Sequence, residues 1–413
     1  MKELLYKFEV AIGTLTKLIE VGKVFLFTII AGRCLSITEF GIYSLLLSVA
    51  AIVAILAEFR IQDIIYKKVN SGGVVSDALG NSLLIVAVFA FAGHLVLVMI
   101  STLEFIDVGN NDIYMLYGLI FYLNISRVFK TVMLAQRDSL QIIFAELLSF
   151  IFAILYLYSS LEGGSVGLID IVISRIVDLF ILTITLLHFT LQKNHISQPS
   201  WFYIKGIMKS AAPLVLSGMA VILYQKIDQV MIKVILGYDV LGQYAANLSI
   251  VTVFSIIPMM YAQVAARRIH LDKNQIITYM RDISYLGIGL SVFLFIFGGD
   301  IVQLSFGERY IINDMIWYPL SIIPFLIATG AAAAQIIISD DRQSLIWIKS
   351  IVALLLNIIL NLILIPFIGL LGAAIATSIS LLVGNVISNL LISRYRDVFA
   401  IQIKSIFYRK RYE

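Results

Sequence analysis

The sequence predicts an all-α polytopic membrane protein: twelve transmembrane helices in two six-helix bundles, related by a pseudo-two-fold axis along the membrane normal. Three observations predict it. Of the 413 residues, 60% are hydrophobic and 14% are charged, whereas a soluble domain carries roughly 25% charge. Twelve continuous apolar runs reach the ~20 residues that a bilayer-spanning helix needs, without the period-two alternation of a barrel. The chain also echoes itself. Leu35, Gly41, Tyr43 and Ser48 recur as Leu236, Gly242, Tyr244 and Ser249, an offset of 201 positions (244 − 43), close to half the chain.

The runs lie at roughly 10–33, 40–66, 79–102, 113–135, 139–160, 166–190, 211–236, 241–265, 276–299, 311–338, 343–366 and 371–393. The first follows Lys2, Glu3, Lys7 and Glu9 with no small-residue cleavage site, so it reads as an uncleaved helix. The connection at 192–209 carries Pro199, Trp201, Phe202 and Tyr203 among basic residues. That composition suits the headgroup level and a short interfacial helix. The expected organisation is a bundle over 1–191, a linker over 192–209, a second bundle over 210–398 and a basic cytoplasmic tail over 399–413.

With the N-terminus in the cytoplasm, 21 of the 30 Lys and Arg residues fall in cytoplasmic segments, Lys130 and Lys349 among them. The outer loops hold only Arg33 and Arg309, and carry Glu104, Asp107, Asp112, Glu162, Asp300, Glu308 and Asp314 instead. This asymmetry predicts both termini in the cytoplasm, and two halves that start and end on the same side form a parallel repeat. Cys34 is the only cysteine, which excludes an internal disulfide and a thiolate metal cluster. The sequence shows no metal-ligand spacing, phosphate loop, catalytic set or nucleic-acid signature, so no enzyme class, metal or cofactor is assigned.

Charges remain inside the spans. The cations are Lys17, Lys23, Arg175, Lys226 and Lys233; the acids are Glu20, Glu146, Asp178 and Asp228. A charge at the bilayer centre costs about 2.5–3.5 kcal/mol on insertion scales and usually faces a bundle interior or a wet cavity. Helical spacing puts Lys17 and Glu20 on one face of the first span, with Lys23 at the next step, and lets Arg175 pair with Asp178. On the seventh span Lys226, Gln229 and Lys233 share a face, while Asp228 points away with Ser217 and Tyr224. The first and seventh spans lead the two halves and both carry lysines, so a cationic cavity between the halves is the economical arrangement. Each charge also has a structural alternative: an ion pair of Lys17 or Lys23 with Glu20, of Arg175 with Asp178, or of Lys226 or Lys233 with Asp228. Lys233 can equally snorkel to the outer interface. His94 reads as a tolerated polar residue. Pro213, Pro258, Pro319 and Pro324 read as kinks, and the run Gly369, Gly372, Ala373, Ala374, Ala376 as close helix packing.

Three stretches carry a family resemblance: Arg33 through Gly41-Ile42-Tyr43, Lys226-Ile227-Asp228 through Gly242-Gln243-Tyr244, and Asn361 through Pro366, Gly369, Gly372-Ala373-Ala374, Ala376 and Thr377. They resemble the Wzx-type polysaccharide flippases of the multidrug/oligosaccharidyl-lipid/polysaccharide exporter superfamily. The resemblance implies a twelve-helix, two-bundle transporter with a central V-shaped cavity in the bacterial inner membrane. It further implies transport of an undecaprenyl-diphosphate-linked oligosaccharide, an O-antigen or capsule repeat unit, from the cytoplasmic to the periplasmic leaflet by alternating access. Of the site residues, only Asp228 falls on the family motif. The lipid II flippase branch usually has two further helices than this length allows.

The charge placement makes Lys17, Lys23, Arg175, Lys226 and Lys233 candidate ligands of the diphosphate and glycan, with Lys23 and Lys226 on the diphosphate. Glu20, Glu146, Asp178 and Asp228 become charge partners or coupling groups. Coupling to H+, to Na+ or to the membrane potential is expected in place of a cofactor. The expected partners are the lipid-linked oligosaccharide, the bilayer and a glycan polymerase with its chain-length regulator. Nucleic acid is excluded, and a monomer is expected. The rival readings are an ion-coupled multidrug antiporter and a membrane glycan polymerase or ligase. The lysines argue against the antiporter, and the short outer loops against the polymerase.

Overall fold

A computed structural model describes residues 2–58, 61–70, 72–102, 112–266 and 273–407. Glu104, Asp107 and the basic residues 409–411 of the expected tail lie outside these residues. The described chain is built from helices, with no strand among the described residues. Among the described residues, eight stretches are long and apolar enough to cross a membrane: 37–55, 75–101, 113–135, 139–162, 238–265, 275–306, 314–339 and 346–391. The last contains two of the expected spans. The remaining three expected spans fall on α1 (Lys2–Cys34), α8 (Leu168–Lys193) and α9 (Trp201–Leu236). These are the helices that carry most of the intramembrane charge.

Two compact units divide the chain at Met219/Ala220. The first holds α1, α2 (Ile37–Glu58), α3 (Ile61–Asn70), α4 (Val75–Ser101), α5 (Asp112–Leu123), α6 (Ser126–Ala135), α7 (Ser139–Glu162), α8 and the beginning of α9. α7 packs along α8 and against α1, α4 lies against α2 and α5, and α3 packs against α6. Ile61, Leu79, Ile85, Phe129, Val132, Ile142 and Leu186 meet in its core with Ile204 and Ile207 from the start of α9. The connection before α9 is tied down as well: the Ser200 amide donates to Asn81 Oδ1 at 2.7 Å, and Lys68 Nζ lies 3.3 Å from the centroid of the Tyr203 ring. The segment read from sequence as a linker thus packs with the first unit. Trp201 and Phe202 stay exposed, as interfacial aromatics do.

One span of the first unit is broken. The run at 113–135 forms α5 and α6 with turn residues Asn124 and Ile125 between them. Thr183 Oγ1 of α8 lies 3.1 Å from the Leu123 carbonyl at the break and 2.6 Å from the Leu179 carbonyl of its own helix. The break makes α6 a separate ten-residue helix and sets the direction of Lys130.

The second unit holds the rest of α9, α10 (Tyr238–Ala265), α11 (Lys273–Phe306), α12 (Trp317–Leu320), α13 (Ile323–Ser339), α14 (Ile346–Leu382), α15 (Ser388–Leu391) and α16 (Arg396–Phe407). α13 is its hub, packed against α10 and α11. Ala328, Ala332 and Ala333 are fully buried there and let backbones approach closely. Of the expected kinks, Pro258 lies inside α10, but Pro324 sits at the first positions of α13, where a missing N–H costs nothing. α14 breaks two residues after Pro366: Ile368 leaves helical geometry and Gly369 takes φ +59°, a conformation that suits glycine. The two arms then meet at Gly372, where a Cβ would lie 2.5 Å from the Leu364 carbonyl oxygen. The small-residue run thus makes both the turn and the close contact. A π-turn at Val383–Ile387 precedes α15. Beyond it, α16 packs on α11 and α13 with Val398, Gln402 and Ser405 buried.

Val88, Phe91, Met99, Ile151, Leu155 and Phe367 are among many large apolar side chains left exposed. Apolar surface on this scale belongs in lipid.

Candidate functional site: a charge ladder and a capped carboxylate

In the first unit four helices bring seven charged side chains into one line. Helical spacing of three aligns Lys17, Glu20 and Lys23 on α1, Glu146 and Ser149 on α7, and Arg175 and Asp178 on α8, while the α5–α6 break delivers Lys130. Arg175 donates to Asp178 Oδ2 at 3.2 Å, and Lys23 donates to Asp178 Oδ1 at 3.0 Å. Lys23 also ion-pairs with Glu146. Lys130 donates to Glu146 Oε1 at 2.7 Å and lies 3.0 Å from Glu20 Oε2. Lys17 donates to the same Glu20 oxygen at 3.1 Å. Ser149 donates to Asp178 Oδ1 at 2.8 Å. The order is strictly alternating: Arg175, Asp178, Lys23, Glu146, Lys130, Glu20, Lys17. Four cations against three carboxylates leave a formal charge of +1.

The middle of this ladder is sealed and one end is open. The side chains of Lys23, Glu146 and Asp178 are 5%, 2% and 0% exposed, whereas those of Glu20 and Lys17 are 32% and 55% exposed. At the other end Arg175 stacks its guanidinium 4.5 Å from the centroid of the Phe27 ring. Burying charges is tolerable only when each is paired, and a pair left half-made costs about 3–5 kcal/mol.

The expected pairs Lys17–Glu20 and Arg175–Asp178 form. The alternative of Lys23 with Glu20 is corrected: Lys23 reaches across to α7 and α8, where it pairs with two buried carboxylates, Glu146 and Asp178. Lys130, counted from sequence with the cytoplasmic segments, joins the ladder. It is 12% exposed and bridges α1 to α7. Glu146 held the clue, since a carboxylate in an apolar span with no cation at helical spacing must be paired from another helix.

The second unit holds a cavity of about 390 Å³. Tyr224, Gln225, Lys226 and Asp228 of α9 line it, with Leu248, Ser255 and Met259 of α10, Ile327 and Gly330 of α13, Thr377 of α14 and Asn385 of the π-turn. Asp228 is buried and fully capped: Tyr244 Oη donates to Oδ2 at 3.0 Å, Thr377 Oγ1 donates to the same oxygen at 3.2 Å, and the Gln229 amide donates to Oδ1 at 2.8 Å. Asp228 and Lys226, two positions apart on α9, both line this cavity. The lining positions from Tyr224 to Lys226 sweep roughly 200° of the helix, so the cavity wraps α9 and does not touch a single face. Among the described residues no carboxylate lies within ion-pair distance of Lys226. Lys233 is not in the cavity wall. It sits in the last turn of α9 with its ammonium 5.1 Å from the centroid of the Tyr238 ring.

Behind the wall, Lys349, the second lysine counted as cytoplasmic, is buried and donates to Asn389 Oδ1 at 2.7 Å. Asn389 Nδ2 donates to Gln402 Oε1 at 3.0 Å, and Gln402 Nε2 donates to the Asn385 carbonyl at 3.0 Å. The docked α16 thus braces the π-turn that presents Asn385 to the cavity. Neither Tyr244 nor Thr377 was a candidate site residue from the sequence, although both lie in the motif stretches. His94 packs edge-on against Tyr122 and lines an apolar pocket with Leu116 and Leu119, as a tolerated polar residue would. Among the described residues no group of three or more His, Cys, Asp or Glu is placed to hold a metal ion.

A sequence profile of the family described as "Polysaccharide biosynthesis protein" matches residues 9–267, more than half of the chain. The chain belongs to that polysaccharide biosynthesis family. No curated protein matches its sequence. Among solved structures, it is similar to the inward-facing conformation of a multidrug resistance MATE family transporter of the MOP superfamily, with 13% identity, 94% of this chain and 96% of that one covered, and a TM-score of 0.71. It is also similar to the lipid II flippase MurJ in an inward closed conformation, with 11% identity, 97% and 91% covered, and a TM-score of 0.69. At these identities the likeness is one of fold. The polysaccharide biosynthesis family member described here is a multi-pass membrane protein with the all-α transporter fold of those neighbours.

Proposed function

We propose that this family member is a flippase that moves an undecaprenyl-diphosphate-linked oligosaccharide, an O-antigen or capsule repeat unit, from the cytoplasmic to the periplasmic leaflet of the bacterial inner membrane by alternating access. The observation that carries this reading is the ladder of four cations and three carboxylates inside an apolar unit of a polysaccharide biosynthesis protein. A lipid diphosphate brings at least two negative charges into a region of low dielectric and needs a surplus of cations there. The open-ended Lys17 and the cavity-lining Lys226 are the candidate contacts. Lys23 and Arg175 contribute through the carboxylates that hold them, and Lys233 from the outer end of α9.

The role is transport and not catalysis. An inside-negative membrane potential favours outward movement of an anion by roughly 2.3 kcal/mol per charge per 100 mV, so the potential, with or without H+ or Na+ coupling, supplies the driving force. A glycan polymerase and its chain-length regulator fit as partners that use the delivered unit, and a monomer suffices for the mechanism. Deleting the gene in its own host and mapping the lipid-linked glycan tests the reading. Glycan trapped on the cytoplasmic face supports it, while unchanged periplasmic delivery removes it. The mainly apolar cavity around Asp228 favours one second reading, exchange of an organic cation for a coupling ion. Dye efflux that depends on Asp228, with normal glycan delivery in the deletion strain, would select it.

A further inference from the structure

Glu20 differs from the other two carboxylates of the ladder. Each oxygen of Glu146 and Asp178 that meets a cation is sealed in the unit, whereas Glu20 is partly exposed. It also spends a single oxygen, Oε2, on two lysines: Lys17 at 3.1 Å from its own helix and Lys130 at 3.0 Å from α6. Two ammonium groups converging on one anionic oxygen form a clamp of the kind that binds a phosphoryl group. The Lys130 half of the clamp does not depend on Glu20 for its position, because Lys130 is anchored on its far side by Glu146 Oε1 at 2.7 Å.

We propose that Glu20 is a placeholder anion: its carboxylate occupies the Lys17–Lys130 clamp, and a phosphoryl group of the diphosphate headgroup takes over that clamp during transport. The proposal rests on the flippase reading and adds how the headgroup is gripped and let go. The diphosphate as a whole brings at least two negative charges against one on a carboxylate, so it wins the two lysines when it arrives. The Glu20 side chain is partly exposed, whereas those of Glu146 and Asp178 are sealed, so Glu20 has room to swing off the clamp. Glu146 and Asp178 cannot be exchanged this way, because they have no route to water. The same carboxylate then returns and competes the headgroup off. Without that competition two lysines would hold a diphosphate tightly and release it slowly. Glu20 thus exchanges equilibrium affinity for turnover.

The test is binding of radiolabelled undecaprenyl diphosphate, and in parallel of inorganic pyrophosphate, to the full-length protein in lipid nanodiscs. Glu20→Gln keeps the shape and removes the competing charge. It should bind the lipid diphosphate about tenfold more tightly than the parent, the scale of one unopposed charge-assisted contact. Glu20→Asp should bind like the parent. Adding Lys17→Met to Glu20→Gln should remove most of the gain. Lys17 is exposed, so Lys17→Met alone provides a variant that folds even if Glu20→Gln does not, and it should weaken binding about fivefold, the loss of one such contact. Pyrophosphate should follow the same ranking if the clamp reads the headgroup. A ranking seen with pyrophosphate alone would overturn the assignment to a lipid. Equal or weaker binding by Glu20→Gln, or unchanged binding by Lys17→Met, in a protein whose parent binds the lipid would overturn the placeholder and leave the flippase reading standing. A parent that binds neither ligand would remove both.

Discussion

Tyr244 Oη donates to Asp228 Oδ2 at 3.0 Å, and the two residues stand at the two ends of a single sequence stretch, one inside α9 and the other in the first turns of α10. Thr377 from the third stretch donates to the same oxygen. Two of the stretches that carry the family resemblance therefore close on one buried carboxylate. The first half lacks this arrangement. At the 201-residue offset Asp228 becomes Phe27 (228 − 201), and Arg175 stacks on that ring. The two units have kept the buried tyrosines, Tyr43 and Tyr244, and diverged in what surrounds them.

Tyr244→Phe removes one of the three caps on a buried carboxylate. We expect a loss of about 1–3 kcal/mol, the cost of an unmet buried acceptor. Thermal unfolding in detergent checks it. Asp228→Asn in the Tyr244→Phe background should be milder than the two single losses added, because the charge that needed the cap is gone.

Breaking the sealed part of the ladder should cost more. Lys23→Met removes the cation that Glu146 and Asp178 share and leaves two buried carboxylates with one cation each, so a loss of about 3–5 kcal/mol or failure to fold is expected. Lys23→Met with Asp178→Asn, which removes one cation and one carboxylate, should recover part of the loss. Yield and unfolding temperature of the single and double variants give the answer, and a double variant no better than the single would refute the pairing.

Gly372→Ala places a Cβ 2.5 Å from the Leu364 carbonyl oxygen, which is backbone and cannot step aside. The two arms of α14 must separate, and a destabilisation of about 1–3 kcal/mol is expected, as for an overpacked core. An unchanged melting temperature would show that the arms do not meet so closely.

Outside the spans, Arg342 donates to both oxygens of Asp397, at 2.8 and 2.9 Å, and also to Asp340. These hydrogen bonds hold the Asp397 carboxyl below its ordinary value of 3.8. A depressed acid stabilises the fold above its unfolded pKa, and that contribution is lost as pH falls through the folded value. The pair should therefore support α16 at neutral pH and release it below about pH 3.8. Asp397 is more than half exposed, so the gain is limited to about 0.2–1 kcal/mol. Unfolding of the parent and of Asp397→Asn should differ more at pH 7 than at pH 3.

Much of the fold was legible because the bilayer constrains it: apolar run length and loop charge count helices without any long-range information. The ion pairs divide by distance along the chain. Arg175–Asp178 and Lys17–Glu20 sit one helical turn apart, and periodicity finds them. Lys23 meets Asp178 across 155 positions, a pairing that no local rule supplies. Lys130 was hidden for a different reason. Its span reads as one helix, and only the break between Leu123 and Ser126, which no proline or glycine marks, turns it inward. The π-turn under Asn385 is likewise silent in sequence, since its support arrives from Gln402 on α16.

The central claim is that this chain carries a diphosphate-linked oligosaccharide across the bilayer. Reconstituting the purified protein in liposomes that hold such a lipid in both leaflets, then following oxidation of the glycan by a membrane-impermeant reagent, tests it most directly. Oxidation should run nearly to completion with the parent protein and more slowly with Glu20→Gln. Oxidation that halts at the outer-leaflet half, as in protein-free liposomes, would contradict the account.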